Sequence, residues 1–170
     1  MWQMFTNVMP DTTTEQSRAA LILLGMVGNV EPSVIMSNIN VLVEHGLETR
    51  DMKFAHDTCV ALQRISSSSS KSQPTDIGPC RLDPDHKLFV KLENLLINGI
   101  GNKKDDQYVA MAQQAIMVIY NLSDKPDDLA GKLCRKLAQK IRDHPRNTML
   151  LRRAFFVVGH IAVCQVSLFR

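Results

Sequence analysis

The stretch from Gln16 to Gly28 reads QSRAALILLGMVG and is too apolar for a helix with an ordinary solvated face. Large aliphatic side chains fill most of it, and the small residues Ala19, Ala20 and Gly25 are set among them. A helix that is hydrophobic on nearly all sides has to be covered on more than one side. The stretch therefore predicts a core helix with neighbours on at least two sides.

The rest of the chain continues in helical patterns. Aromatic residues are only 5% of the 170 residues, and Val, Ile and Leu fall mostly at helical spacing, which favours an all-α fold over an all-β fold. Capping boxes, prolines and glycines set the helix ends. We expect helices over about 13–28, 32–46, 51–65, 83–100, 105–122, 126–144 and 147–170, with a short apolar helix over 1–9 before them.

Alternate helices of this series share one pattern. Each has a small residue, an apolar residue four positions later and another three positions after that. The four triples are Ala20-Leu24-Val27, Thr58-Leu62-Ile65, Ala115-Ile119-Leu122 and Ala154-Val158-Ile161. Once a Ser-rich insertion is subtracted, the period is about 40 residues, as in HEAT or armadillo repeats of two helices each. Such hairpins bury their apolar faces only by stacking, so we predict an α-solenoid of seven or eight helices.

The insertion lies at 66–80 and reads SSSSSKSQPTDIGPC. Its polar, low-complexity composition predicts a flexible loop inside a single solenoid segment that covers 1–170. Phosphorylation is an alternative role for the loop, although no Ser-Pro or Thr-Pro pair occurs in the chain. A tolerated insertion in a surface loop is the simpler interpretation.

Catalytic and metal-binding patterns are absent from the sequence. None of the five histidines has a second histidine four residues later or a cysteine at ligand spacing. There is no G-x-S-x-G, P-loop or G-x-G-x-x-G motif. The four cysteines form no C-x-x-C pair, which favours a reduced intracellular protein. We expect no enzyme activity, no cofactor, no metal and no small-molecule substrate.

Basic residues concentrate near the C-terminus. From Gly131 onward there are nine Lys and Arg against one acidic residue, whereas the first 130 residues hold eleven basic and sixteen acidic residues. One interpretation is a solvated border beside the buried leucine stripe of the sixth helix. The other is a surface that contacts phosphates without sequence preference. The candidate contacts are Lys132, Arg135, Lys136, Lys140, Arg142, Arg146, Arg152 and Arg153.

The apolar run from Ala154 to Phe169 follows two arginines and resembles a tail anchor. It has sixteen residues and contains His160 and Gln165, whereas a membrane span needs about 20 mostly apolar residues. A buried repeat helix explains the run equally well and matches the pattern of the other three repeat helices. We therefore expect no membrane association.

Four blocks of the sequence resemble the large HEAT-repeat non-SMC subunits of condensin, the condensin complex subunit 1 family. These blocks are SRAALILLGMVGNVEPSVIMSNINVLVEHGL (17–47), CRLDPDHKLFVKLENLLINGI (80–100), AQQAIMVIYNLSDKPDDLAGKL (112–133) and FFVVGHIAVCQ (155–165). The related subunit of the second condensin complex is less similar. Family members are many times longer, so the resemblance implies an internal fragment or a short isoform.

The resemblance implies a non-enzymatic scaffold that acts in mitotic chromosome condensation. It implies kleisin and SMC subunits as partners, sequence-non-specific DNA contact, and a location in the nucleus and on chromosomes, in part also in the cytoplasm. The alternative from another class is an α-solenoid adaptor for protein partners that has no nucleic-acid role.

Overall fold

The computed structural model describes residues 14–28, 39–47, 52–68, 81–101 and 107–167. Within these ranges the chain forms seven helices and one isolated parallel bridge between Leu82 and Ser123. The prediction of an all-α, solenoid-type fold is confirmed for this part of the chain. The expected short helix over 1–9, residues 32–38 of the expected second helix and residues 69–80 of the expected loop lie outside the described residues.

The seven helices follow the predicted order closely. They are α1 (Thr14–Gly28), α2 (Ile39–Gly46), α3 (Met52–Ser68), α4 (Lys87–Gly99), α5 (Tyr108–Leu122), α6 (Pro126–Asp143) and α7 (Thr148–Ser167). α3 is longer than expected and ends at Ser68, so the first three residues of the predicted loop are helical. α4 is shorter at its start, because His86 accepts a hydrogen bond from the Leu88 amide and caps the helix there.

The helices pack in two layers. α1, α3, α5 and α7 form one layer, in which each helix contacts the next. α2, α4 and α6 form the second layer, and neighbours in that layer also touch. Helices that follow one another in the chain lie in alternate layers, so every second helix returns to the same side, as a repeat of helical hairpins requires.

The small residue of each predicted triple is buried in the fold. Ala20 is 9% exposed, and Thr58, Ala115 and Ala154 are fully buried. The Thr58 hydroxyl donates to the Phe54 carbonyl at 2.9 Å, which satisfies its polar group inside the core. The equivalence of the four odd-numbered helices therefore holds at its most constrained position.

The two end helices are less covered than the sequence predicts. On α1, Ile22, Leu23 and Met26 are each about half exposed, so the expectation of neighbours on two sides is wrong for these side chains. On α7, Val158 is 41% exposed, although the aligned triples place it in the core. Both helices contact the solenoid through one face only, because no further described helix stacks on the other face.

α7 also corrects the length argument about a membrane span. The helix begins at Thr148, close to its expected start, and the apolar segment within it, Thr148–Val166, has 19 residues instead of the sixteen counted from Ala154. By length and composition that segment is sufficient to cross a membrane, and only 28% of it is buried. Its inner side nevertheless packs on α5 and α6, as a repeat helix does.

Candidate nucleic-acid interface

The eight predicted contact residues occupy α6, the turn after it and the first turns of α7. Their side chains do not form one uniform patch. Four of them bind other parts of the fold, and four lie on the surface. The structure therefore divides a set that the sequence treated as one.

Two lysines of α6 bind a single carboxylate of α4. The Lys132 ammonium lies 3.2 Å from Glu93 Oε2, and the Lys136 ammonium donates to Glu93 Oε1. The Glu93 side chain is only 12% exposed, whereas each lysine is about half exposed. The lysines thus neutralise a carboxylate that α4 carries into its packed face, and each keeps part of its ammonium group in solvent.

Side chains from three helices bind the carbonyl groups at the C-terminal end of α4. Tyr108 donates its hydroxyl to the Leu96 carbonyl at 2.8 Å, and Lys140 donates its ammonium to the Ile97 carbonyl at 2.7 Å. The last four carbonyls of a helix lack partners within the helix, and cations are favoured beside them. These contacts connect α5 and α6 to the end of α4.

Arg153 of α7 supplies the third contact at this helix end. Its Nη1 donates to the Ile100 carbonyl at 3.1 Å and to the Gly99 carbonyl at 3.4 Å. Its guanidinium carbon lies 4.9 Å from the centre of the Tyr108 ring, within range of a cation–π interaction. The residue is 8% exposed, so most of its side chain lies inside the fold.

Tyr108 is itself fully buried between these groups. Burial raises the pKa of its hydroxyl far above the usual value, and the opposing effect of the Arg153 charge is smaller. The phenol therefore remains protonated and acts as a hydrogen-bond donor. Tyr108 and Arg153 form a structural pair at the junction of α4, α5 and α7.

The remaining predicted contacts are exposed arginines. Arg135 and Arg142 project from the outer side of α6, Arg146 lies in the turn that follows, and Arg152 lies in the first turns of α7. Arg142 donates to Gln139 Oε1 at 2.8 Å, which holds its side chain along the helix. Positions 135, 139 and 142 share one face, because residues three and four apart are neighbours on a helix.

The sequence contained a signal for Glu93, which the prediction missed, and a signal that Arg153, predicted as a phosphate contact, lies on the inner face of α7. Glu93 follows Leu92 on the apolar face of α4, and a carboxylate at such a position needs a cationic partner. Arg153 lies three residues after the buried Leu150 and four before the buried Val157, which is the spacing of the inner face of α7. No local pattern indicated that Tyr108 would lie beside Arg153.

The described residues contain no group of three His, Cys, Asp or Glu side chains placed to hold a metal ion. The thiols are poor nucleophiles, because burial raises the pKa of Cys59 to about 12 and also raises the pKa values of Cys134 and Cys164.

Two shallow grooves flank the start of α7, and one of them is lined by Arg152, Phe155 and neighbouring side chains.

No protein-family model matches the chain. Curated relatives match almost all of it. Condensin complex subunit 1 of Xenopus laevis is 28% identical over 177 residues, which cover 98% of this chain and 13% of that protein. Condensin complex subunit 1 of Homo sapiens is 25% identical over 185 residues, with the same coverage of both chains. Condensin-1 complex subunit CAP-D2 of Arabidopsis thaliana is 27% identical over 189 residues, again covering 98% of this chain and 13% of that protein.

The chain spans about 13% of the length of these relatives. Their similarity extends across vertebrates, a plant and yeasts, and it includes the blocks that the sequence analysis singled out. Over nearly its whole length the chain is therefore similar to a short region of condensin complex subunit 1, and the resemblance predicted from its sequence is confirmed.

Proposed function

We propose that the chain is a non-enzymatic helical scaffold of the condensin type that acts in mitotic chromosome condensation. The observation that carries this proposal is the similarity to condensin complex subunit 1 over 98% of the chain. The two-layer helical fold supports it, because stacked hairpins expose long faces that suit macromolecular partners. The expected partners are the kleisin and SMC subunits, and the expected location is the nucleus, on chromosomes, with a share in the cytoplasm.

A binding experiment with purified subunits tests the scaffold role. The full chain is mixed with a condensin kleisin subunit and passed over a size-exclusion column, with nuclease present to remove bridging DNA. Coelution is expected, and it should survive in the Lys87→Gln variant, whose 75% exposed side chain lies away from the basic cluster. Separate elution at micromolar concentrations would contradict the proposal.

Within this scaffold we propose that the exposed arginines contact DNA phosphates without sequence preference. Arg135, Arg142 and Arg146 lie on α6 and the following turn with their guanidinium groups in solvent, and Arg152 continues the basic surface onto α7. Arginine forms bidentate hydrogen bonds with phosphate, and such contacts give salt-sensitive affinity. Lys132 and Lys136 add to the local potential with the half of each side chain that remains exposed, although Glu93 cancels one of their two charges.

Charge removal tests the DNA contact without disturbing the fold. The triple variant Arg135→Gln, Arg142→Gln, Arg146→Gln changes only exposed side chains. Its affinity for a random duplex at low salt should fall at least tenfold, because three phosphate contacts are lost. The matched control is again Lys87→Gln, which removes a basic residue elsewhere. Equal affinities of the triple variant and the control would refute the assignment.

The second candidate function is a protein-interaction adaptor without a nucleic-acid role. One observation favours it: Lys132, Lys136 and Lys140, the regular lysine row of α6, all bind groups of α4. Contacts within the fold are therefore sufficient to explain this row of lysines. A chain that coelutes with kleisin and shows no duplex binding at low salt would establish this alternative.

A further inference from the structure

α7 carries two apolar faces on opposite sides. The inner face packs into the solenoid through the buried residues Leu150, Ala154, Val157 and Ile161. A second set of residues, here called the outer face, follows the same three- and four-residue spacing but is exposed. The outer face consists of Phe155, Val158, Gly159, Ala162, Val163 and Val166. At 100° per residue, the centres of the two sets lie about 140° apart around the helix axis.

The outer face corresponds to positions that are covered inside the solenoid. Ala115 of α5 aligns with Ala154 of α7 in the repeat. The residues one, four and five positions after Ala115 are Ile116, Ile119 and Tyr120, and all three are buried. The residues at the same offsets after Ala154 are exposed. The outer face is thus built like a helix-packing surface, and no described helix packs on it.

The packing of the described residues does not require a glycine at position 159. A Cβ atom added there would meet nothing within 4 Å, so the fold does not need the small residue for space. Glycine in a helix interior is destabilising relative to alanine. Ala162 lies about one turn later, so the two small residues are adjacent at the middle of the outer face, between larger side chains. Small residues at such a position permit close approach of another helix.

The outer face is self-complementary about its midpoint. We propose that it binds α7 of a second copy of this chain in an antiparallel, two-fold symmetric pair. In that arrangement large side chains meet at the two ends of the contact and small ones meet at its centre. The facing pairs are Phe155 with Val166, Val158 with Val163, and Gly159 with Ala162, each pair formed twice.

Charge and exposure are consistent with this pairing. Between Arg153 and Ser167 the sequence has no Lys, Arg, Asp or Glu, so two-fold symmetry brings no like charges together along the contact. Phe155 is 72% exposed, and Val163 and Val166 are each 60% exposed. An apolar stripe that runs about 17 Å along a helix is typical of an interaction surface.

The mass of the full chain in solution tests the proposal. Light scattering after size exclusion should give twice the monomer mass of 19.1 kDa at micromolar concentrations. Val163→Glu should raise the dimer dissociation constant at least about 100-fold, because it buries an unpaired charge. The matched control is Val90→Glu, since Val90 is a 48% exposed valine on α4, and it should leave the dimer intact. If Val163→Glu loses helical circular dichroism, Gly159→Gln replaces it, because that position has free space.

A charge-pair variant tests the antiparallel geometry. The double variant Val158→Glu, Val163→Lys places opposite charges against each other at both Val158–Val163 pairs of the two-fold contact, so it should recover dimerisation that either single change abolishes. A monomeric wild-type chain would overturn the proposal, and cosedimentation of that monomer with phospholipid vesicles would assign the face to a membrane. A self-association that is lost with Leu23→Glu as well as with Val163→Glu would assign the face to head-to-tail stacking of α7 on α1 and would overturn the two-fold pairing.

Discussion

Arg152 and Arg153 are adjacent in sequence but have opposite roles in the structure, which makes them a matched pair for mutation. Arg153 is buried, donates to the Ile100 carbonyl at 3.1 Å and lies over the Tyr108 ring. Arg152 is exposed. Methionine approximates the length of the arginine stem, so Arg153→Met removes the guanidinium while retaining most of the packing.

The expected loss follows from the contacts of the guanidinium. A hydrogen bond from a charged donor contributes about 1.5–3 kcal/mol, and a buried cation–π contact contributes up to about 2 kcal/mol. Together they predict a loss of about 3–5 kcal/mol, a large part of the roughly 5–15 kcal/mol by which domains are stable. For a chain of this size, about 3 kcal/mol corresponds to a fall of about 6–12 °C in the thermal midpoint.

Thermal and urea unfolding followed by circular dichroism measures the difference. Arg153→Met should show the large fall, and Arg152→Met should stay within about 0.5 kcal/mol of wild type. The opposite order is expected for duplex affinity, since only Arg152 offers its charge to solvent. Equal unfolding midpoints for the two variants would refute the assignment of Arg153 to the fold.

Three further predictions concern other contacts of the described residues. Glu93→Gln should lower the free energy of unfolding by about 1 kcal/mol at low salt, and urea unfolding at two salt concentrations measures this. The loss should be smaller at high salt, because the two lysine partners of Glu93 are half exposed and salt screens their charges. Gly46→Ala should destabilise the chain, since the added Cβ would lie 2.5 Å from the Thr58 side chain. Gly131→Ala should be neutral or stabilising, because the nearest atom to its added Cβ is 3.6 Å away. Equal thermal midpoints for the two variants would contradict this prediction. Burial lowers the pKa of His160 below 6.5, so the unfolded chain binds the proton more readily and stability should fall as the pH drops through about 6.5; His160→Gln should make the fall between about pH 7 and pH 5 shallower.

The sequence was sufficient to predict the helices and their repeat. Helix ends followed from local chemistry, as at Pro126 and at Gly99, and the small residues Ala20, Ala115 and Ala154 were at the buried positions that the alignment indicated. These features depend on residues close together in sequence, where periodicity and capping act directly.

The division of the basic cluster could not be predicted in the same way. Lys136 and Glu93 are 43 positions apart, as are Lys140 and the Ile97 carbonyl, so their pairing depends on how α6 lies against α4. The burial of Arg153 depends equally on the end of α4 and on Tyr108. Spacing identified which side chains are basic, but only the packing of the two layers determines which of them reach solvent.

The exposure of side chains on the end helices could not be predicted from the sequence either. The aligned triples placed Val158 of α7 in the core, as the counterpart of Leu24, Leu62 and Ile119. Its exposure reflects the absence of a neighbouring helix on the outer face among the described residues, which is a property of the surroundings of α7 and not of its own sequence.

The salt dependence of duplex binding tests the proposed chromosomal role most directly. Affinity of the full chain for a random duplex is measured across a series of salt concentrations, and the logarithm of the binding constant is plotted against the logarithm of the salt concentration. If Arg135, Arg142, Arg146 and Arg152 each neutralise one phosphate, the slope should be about −3.6, and it should become shallower by about 0.9 for each arginine replaced by glutamine. A flat plot, or the same slope in wild type and the triple arginine variant, would contradict DNA contact through this surface.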